Sequence, residues 1–139
     1  MSLFSVMNIA GSALAAQTVR LNVTASNMAN ADSAASSLDR TYRARHPVFQ
    51  TLALETEAFD DAPNAGVQVA GIVESQAALR REYQPGHPLA DGDGYVFLPN
   101  VNVVEEMANM IAASRSYQTN VEIMEASKQM LSRTLALGQ

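Results

Sequence analysis

Residues 1–31 read as a long apolar helix whose only charged side chain is Arg20. A helix that faces water on one side normally carries Lys, Glu or Asp there. Its apolar positions recur in alternating steps of four and three, the spacing of a heptad seam. We therefore expect other protein to cover most faces of this helix, so that neighbouring chains complete its core. The seam contains Leu3, Met7, Ala10, Leu14, Gln17, Leu21, Thr24 and Met28, and a second stripe contains Val6, Ile9, Ala13, Ala16 and Val23.

Small residues gather in the first half of this helix, around Gly11. A glycine costs a helix about 1 kcal/mol relative to alanine. Its presence therefore favours the close approach of another helix at this point. The turn-forming residues Asn27, Asn30 and Asp32 are expected to end the helix.

A second helical ladder occupies the C-terminal part of the chain. Asn102 is a good N-cap, and Glu105 three residues later completes the pattern of a capping box. Glu105 and Glu106 are interpreted as first-turn charges that suit the helix dipole, and Gly138 is expected to end the helix. The ladder contains Val103, Met107, Met110, Ser114, Tyr117, Val121, Met124, Lys128, Leu131 and Leu135.

The segment between the ladders has a different character, because it holds all the prolines of the chain. The alternation in residues 67–74 predicts a strand, and residues 95–98 predict a short one. Residues 42–45 and 48–54 are weaker strand candidates, although residues 51–59 also allow a helix. Residues 60–66 and 85–94 are predicted loops. The expected fold is mainly α with a small β-rich insertion, in which the two terminal helices pair as a coiled-coil-like bundle.

Composition excludes several classes of protein. The net charge of −5 argues against nucleic-acid binding, which needs a basic face to neutralise phosphates. The chain has no cysteine, which excludes disulfides, thiolate chemistry and Cys-ligated zinc. It shows neither a cleavable signal-peptide pattern nor an apolar run long enough to span a membrane. Only 17% of the residues are charged, which favours a surface largely hidden by association.

The residues give little support for a catalytic site or a metal site. His46 and His87 each precede a proline in a predicted loop, and neither has a second ligand at helical spacing. Residues 91–94, DGDG, resemble a calcium loop only superficially, because Tyr95 stands where an oxygen ligand is needed. We interpret them as a turn. Arg80 and Arg81 are interpreted as a solvated or partner-facing patch. The sequence predicts no catalytic residue, no metal and no cofactor.

Several motifs resemble the bacterial flagellar rod and hook protein family. Residues 9–14 (IAGSAL) and 25–31 (ASNMANA) are similar to its N-terminal signature. The middle and C-terminal motifs resemble its proximal rod members more specifically, and the similarity spans nearly the whole chain. Those motifs are residues 67–73 (VQVAGIV), 83–91 (YQPGHPLAD), 99–107 (PNVNVVEEM) and 113–121 (ASRSYQTNV).

This resemblance implies a non-enzymatic subunit of the flagellar basal body. Such a subunit polymerises through its terminal helices into a hollow drive shaft that transmits torque and passes exported subunits. It implies export through the flagellar type III apparatus without a cleaved signal peptide, into the periplasmic rod. The implied partners are other copies of the chain, other proximal rod proteins, a FliE-type rod–ring adaptor, the MS-ring protein, the distal rod layer and the export apparatus.

The resemblance also implies a division of the chain. Residues 1–31 and 101–139 would form an inner, D0-like helical domain, and residues 32–100 a β-rich outer domain. The expected subunit-interface residues are Leu3, Met7, Leu14, Leu21, Asn22, Asn27, Met28, Asn30, Met107, Met110, Ile111, Tyr117, Asn120, Val121, Met124 and Leu131.

Two alternatives remain open from the residues themselves. One is another polymerising axial protein or a coiled-coil adaptor of a secretion or appendage assembly, which shares only the helix pair. The other is a metal-dependent enzyme that uses His46, His87 and Asp91.

Overall fold

The computed structural model describes residues 3–53 and 65–137 of the chain. Two long helices, α1 and α2, flank a small β region, which confirms the expected outline of the fold. The elements in chain order are α1 (Leu3–Ala29), a 3-10 turn (Leu38–Arg40), β1 (Arg45–Ala53), β2 (Ala65–Glu74), β3 (Arg80–Tyr83), β4 (Tyr95–Leu98) and α2 (Val103–Leu137).

The two long helices pack against each other in antiparallel directions. The start of α1 meets the middle of α2, since a Cβ added to Gly11 would lie 3.8 Å from Cε of Met124. Further along α1, Nη2 of Arg20 donates to Oδ1 of Asn109 at 3.0 Å. Residue numbers that increase along α1 thus face residue numbers that decrease along α2, so the two helices run antiparallel.

The buried residues of the two long helices are mostly small or polar. On α1 they come from both predicted stripes, with Asn27 in addition, while Leu14 and Leu21 stay partly exposed. Small side chains let neighbouring backbone approach a helix closely. The buried residues are Ala10, Ala16, Val23, Thr24 and Asn27 on α1, and Glu106, Ala113 and Ser127 on α2.

Two separate two-stranded antiparallel sheets form the β region. The β1–β2 hairpin pairs Arg45 with Glu74 at its base and Ala53 with Ala65 at its far end, with an irregularity after Val48. It lies along α1, because the backbone N–H of Val67 donates to Oγ of Ser12 at 3.1 Å. The hairpin therefore depends on the helix for support, as an isolated two-stranded sheet is marginal in water.

The second sheet pairs β3 with β4, with Arg80 opposite Leu98 and Tyr83 opposite Tyr95. Ala35, just after α1, exchanges two backbone hydrogen bonds with Phe97 and so extends this sheet. Val96 is fully buried. This sheet holds the segment that follows α1 close to the segment that precedes α2.

The strand predictions from sequence are partly correct. The strands at 67–74 and 95–98 are confirmed, and the strand candidate 48–54 is confirmed through Ala53. Residues 51–53 are strand rather than helix, and residues 54–59 lie outside the described part. The candidate at 42–45 is wrong except for Arg45, which begins β1. Ala65 and Gly66, expected in a loop, belong to β2, and Gly138 lies outside the described residues.

Strand β3 is absent from the sequence-based prediction. Its arginines, expected to form a solvated or partner-facing patch, are exposed, but they also contact their own chain. The guanidinium of Arg81 lies 3.9 Å from the centre of the Tyr95 ring. It also donates to Asp91 at 3.3 Å. Arg80 donates to the carbonyls of Pro99 and Ala31, each at 3.2 Å. Both arginines therefore contact their own chain and stabilise the second sheet.

Residues 91–94 form the expected turn rather than a calcium loop. Oδ1 of Asp91 accepts from the backbone N–H groups of Tyr95 and Asp93 at 2.8 and 3.0 Å. The hydrogen bond from Tyr95, opposed by desolvation and aided by Asp93 and Arg81, holds the pKa of Asp91 below its ordinary value. Ionised Asp91 therefore stabilises the folded chain at pH values above its ordinary pKa, and this stabilisation is lost as the pH falls through the lowered pKa.

Replacing Gly94 with alanine is expected to destabilise the chain by about 1–3 kcal/mol, because the turn requires a positive φ there. Gly94 has φ of 82°, and an added Cβ would lie 2.9 Å from Cε2 of Tyr83. Urea unfolding of the purified chain measures the effect. Gly92→Ala is the matched control, since its Cβ would meet nothing within 4 Å. Equal stability of both variants would contradict this account of the turn.

Candidate functional site: the Asn27 junction and the exposed face of α2

The side chain of Asn27 joins α1, β1 and α2. It is 1% exposed, and its Oδ1 accepts from the backbone N–H of Arg45 and the hydroxyl of Tyr42, both at 2.9 Å. Its Nδ2 donates to the carbonyl of Arg45 at 2.8 Å and to Oε1 of Glu106 at 3.0 Å. Every donor and acceptor of this buried amide is engaged, so we call this cluster the Asn27 junction.

Glu106 has a role beyond the one that its position in the first turn of α2 suggests. Asn102 does cap the helix, since its Oδ1 accepts from the N–H groups of Val104 and Glu105 at 3.1 and 3.4 Å. Glu106, however, is 4% exposed and turns toward α1. Glu106 is a first-turn acid of α2, as expected, but its side chain also accepts a hydrogen bond from Asn27, which is distant in sequence.

The outer margin of the junction is polar and carries one positive and one negative side chain. Arg45 pairs with Glu74 at 3.2 Å, and its guanidinium lies 5.4 Å from the centre of the Tyr42 ring. Tyr42 also packs on a small apolar cluster of Ala31, Ala44 and Val101. The base of the hairpin is therefore tied to both helices, which fixes where α2 begins relative to α1.

An apolar face of α2 lies exposed beyond the junction. Val104, Met107 and Ile111 follow helical spacing and are 75%, 50% and 57% exposed. Large apolar side chains in one contiguous stripe mark an interaction surface, whereas scattered ones do not. We refer to these three residues as the outer face of α2.

The predicted interface residues fall into three groups in the structure. Met107, Ile111, Tyr117 and Asn22 are exposed, and Asn27 is buried within the chain. Asn30, just after α1, donates to the carbonyl of Ser26, and Asn120 on α2 donates to that of Ser116. These two asparagines and the remaining predicted residues are partly exposed. The remaining residues are Leu3, Met7, Leu14, Leu21, Met28, Met110, Val121, Met124 and Leu131. Their roles in subunit contacts stay predictions.

Sequence reasoning missed the partners of Asn27. Tyr42, Arg45 and Glu106 were not among the predicted site residues, and only the position of an Asn near the end of α1 hinted at a polar contact. His46 was expected in a loop but lies on β1 opposite Val73, whereas His87 lies in the turn after β3. Within residues 3–53 and 65–137, no three His, Cys, Asp or Glu side chains converge into a metal-binding group.

Comparison with known families identifies the class. The family model described as "Flagella basal body rod protein" matches residues 7–34, which cover most of α1 and the turn after it. The model described as "Flagellar basal body rod FlgEFG protein C-terminal" matches residues 93–137, which include β4 and α2. No helix within the described ranges is both long and apolar enough to cross a membrane. The chain belongs to the flagellar basal-body rod protein family and is a structural protein of the flagellum basal body rather than an enzyme.

Within this family, the chain is similar to relatives named flagellar basal-body rod protein FlgC. It is 52% identical to the one from Salmonella typhimurium over 139 residues, which is 100% of both chains. The relative from Yersinia enterocolitica is 51% identical over the same length. The relative from Buchnera aphidicola subsp. Acyrthosiphon pisum is 39% identical over 144 aligned residues, again with 100% of both chains covered. These full-length similarities confirm the resemblance to proximal rod proteins.

Asn27→Ala is expected to lower the free energy of unfolding by about 2–4 kcal/mol, because four hydrogen bonds are lost and buried partner groups stay unpaired. Urea unfolding followed by circular dichroism measures this. Asn22→Ala is the matched control on the same helix, since Asn22 is exposed, and we expect a change within about 0.5 kcal/mol. A similarly small change for Asn27→Ala would show that the junction does not hold the segments together.

Proposed function

We propose that the chain polymerises through its two terminal helices into the hollow rod of the flagellum. The observation that carries this proposal is the outer face of α2, where Val104, Met107 and Ile111 are at least half exposed in the single chain. Burial of such residues against neighbouring chains would supply the hydrophobic free energy of assembly, at about 25 cal/mol per Å² of apolar area.

Two faces of α2 have different partners in this proposal. Glu106, Ala113 and Ser127 are buried, and their spacings of seven and fourteen residues place them on one face, toward α1. Met107 and Ile111 lie well away from that face, at about 100° per residue. We therefore assign the heptad-spaced face to a coiled-coil-like pairing within the chain, and the outer face of α2 to contacts with neighbouring subunits.

The predicted polar interface residues divide in the same way. Asn27 is engaged within its own chain, so we assign it to positioning the outer face of α2 rather than to direct subunit contact. Asn22 is exposed and is proposed to contact a neighbour directly. The partly exposed residues Leu14, Leu21 and Met28 of α1 would be covered on assembly, which explains why α1 carries so little charge.

We further propose the division of labour that the family resemblance implies. Residues 1–31 and 101–139 form the inner helical layer, and residues 32–100 form an outer domain. The chain would pass unfolded through the flagellar type III export apparatus without cleavage and assemble in the periplasmic space. Its neighbours would be copies of itself, other proximal rod proteins, the FliE-type adaptor, the MS-ring protein and the distal rod layer. Low charge and dependence on neighbours suit a chain that orders as it binds.

Ile111→Glu is expected to abolish swimming and rod assembly, because it places a charge on a surface that must be dehydrated. Since Ile111 is 57% exposed, the free energy of unfolding of the purified chain should change by less than about 0.5 kcal/mol. Motility of a deletion strain that carries the variant, with electron microscopy of its basal bodies, measures assembly. Ile111→Leu is the control and should swim. Normal swimming of Ile111→Glu would remove this face from the interface.

Gly11→Ala is expected to raise the stability of the purified chain and to impair its assembly. Its Cβ would make only an ordinary contact of 3.8 Å within the chain, so the helix should gain up to about 1 kcal/mol in the purified chain. If a neighbouring helix approaches closely at Gly11, the same change should impair motility. A variant that is more stable and swims at the wild-type speed would show that close subunit packing is not the reason for this glycine.

A further inference from the structure

A groove beside the Asn27 junction is lined by three arginines together with Leu38, Tyr42 and two alanines. It has a volume of about 640 Å³, within the range of about 300–1,000 Å³ that ligand-binding clefts occupy. Leu38 is 54% exposed within it, and Tyr42 forms part of the wall. The cations are Arg40, Arg43 and Arg45.

These arginines differ in how far their charge is already compensated. Arg45 pairs with Glu74, whereas Arg43 donates only to the neutral carbonyls of Ser75 and Ala77. Arg40 makes no side-chain hydrogen bond or ion pair with the described residues. Asp39 is the other acidic residue that lines the groove, so the cations are in excess. The groove therefore suits an anionic segment that also carries an apolar side chain.

One segment of this chain has the complementary chemistry. Residues 54–64, LETEAFDDAPN, contain four carboxylates and no basic residue. Phe59 stands between Glu57 and the Asp60–Asp61 pair in the sequence, and the groove combines Leu38 and Tyr42 with its arginines. An aromatic ring and flanking carboxylates are the groups that the apolar wall and guanidiniums of the groove would recognise.

The groove lies at the base of the hairpin, where Arg45 pairs with Glu74, whereas Ala53 and Ala65, which flank residues 54–64 in the sequence, pair at its far end. The two ends of β1 are about 26 Å apart at 3.3 Å per residue. A neighbouring copy can present its residues 54–64 to the groove without bridging that distance.

We propose that residues 54–64 of one copy dock in the Arg40–Arg43–Arg45 groove of a neighbouring copy. The inference rests on the proposed function, because polymerisation brings copies of the chain side by side. It adds a polar contact between outer domains to the apolar contacts between helices. Each ion pair of this kind contributes up to about 1 kcal/mol, which corresponds to about fivefold in an association constant.

Cysteine cross-linking in cells tests the contact directly, because the chain has no cysteine of its own. Two tagged versions, Leu38→Cys and Ala58→Cys, would be expressed together in a deletion strain and treated with a short bis-maleimide. These substitutions leave every charge in place. The expected result is a cross-linked heterodimer in isolated basal bodies. The matched control replaces Ala58→Cys by Glu82→Cys, an exposed position on β3, and should yield no such product.

Charge reversal then tests the chemistry of the contact. Arg40→Glu in the Leu38→Cys chain should lower the heterodimer yield about fivefold, and Asp60→Arg in the Ala58→Cys chain should restore it. The same pair of reversals, measured on the purified full-length chains by sedimentation, gives a readout that does not depend on rod assembly. An association that is insensitive to both reversals would overturn the inference.

The remaining outcomes separate this inference from the proposed function. Swimming cells with cysteine chains but no heterodimer would overturn the docking contact and leave the rod function intact. A cross-link within a single chain that carries both cysteines would show that the occupant is the chain's own segment. If the unaltered chain builds no basal bodies in the deletion strain, the proposed function itself fails.

Discussion

The buried amide of Asn27 is the interaction on which the arrangement of this chain depends. Its four hydrogen bonds reach Tyr42, both backbone groups of Arg45, and Glu106. A buried polar group that is fully satisfied accepts few alternative geometries, since any displacement leaves a donor or acceptor without a partner. The base of the β1–β2 hairpin and the start of α2 are therefore fixed relative to the end of α1.

The helix pair follows from that constraint together with the size of its side chains. Ala10, Ala16 and Ala113 are buried, so small residues occupy the buried faces of the two helices. The large apolar residues Met107 and Ile111 point elsewhere. This distribution explains how a protein with 47% apolar residues has few large side chains in its own core.

The β region shows how weakly a local pattern specifies a small sheet. The alternation of β2 is visible in the sequence, and β4 is a short apolar run after a glycine turn. Strand β3, with the sequence RREY, has no apolar alternation to reveal it. It is a strand because it pairs with β4 and because Arg81 lies over the Tyr95 ring at 3.9 Å. Arg40, Arg43 and Arg45 are close in the sequence, and the structure places all three in one groove that Glu74 of β2 also lines.

The sequence by itself determined the two long helices, the Asn102 cap, the turn at residues 91–94 and the family, because helical periodicity and turn chemistry are local and the motifs are contiguous. Only the tertiary structure decided which helix face is internal and which residues Asn27 contacts. Glu106 reads as a first-turn charge within its own segment, but its hydrogen-bond partner lies 79 residues away in sequence. Contacts over such separations depend on how the elements pack, and periodicity within one element carries no information about them.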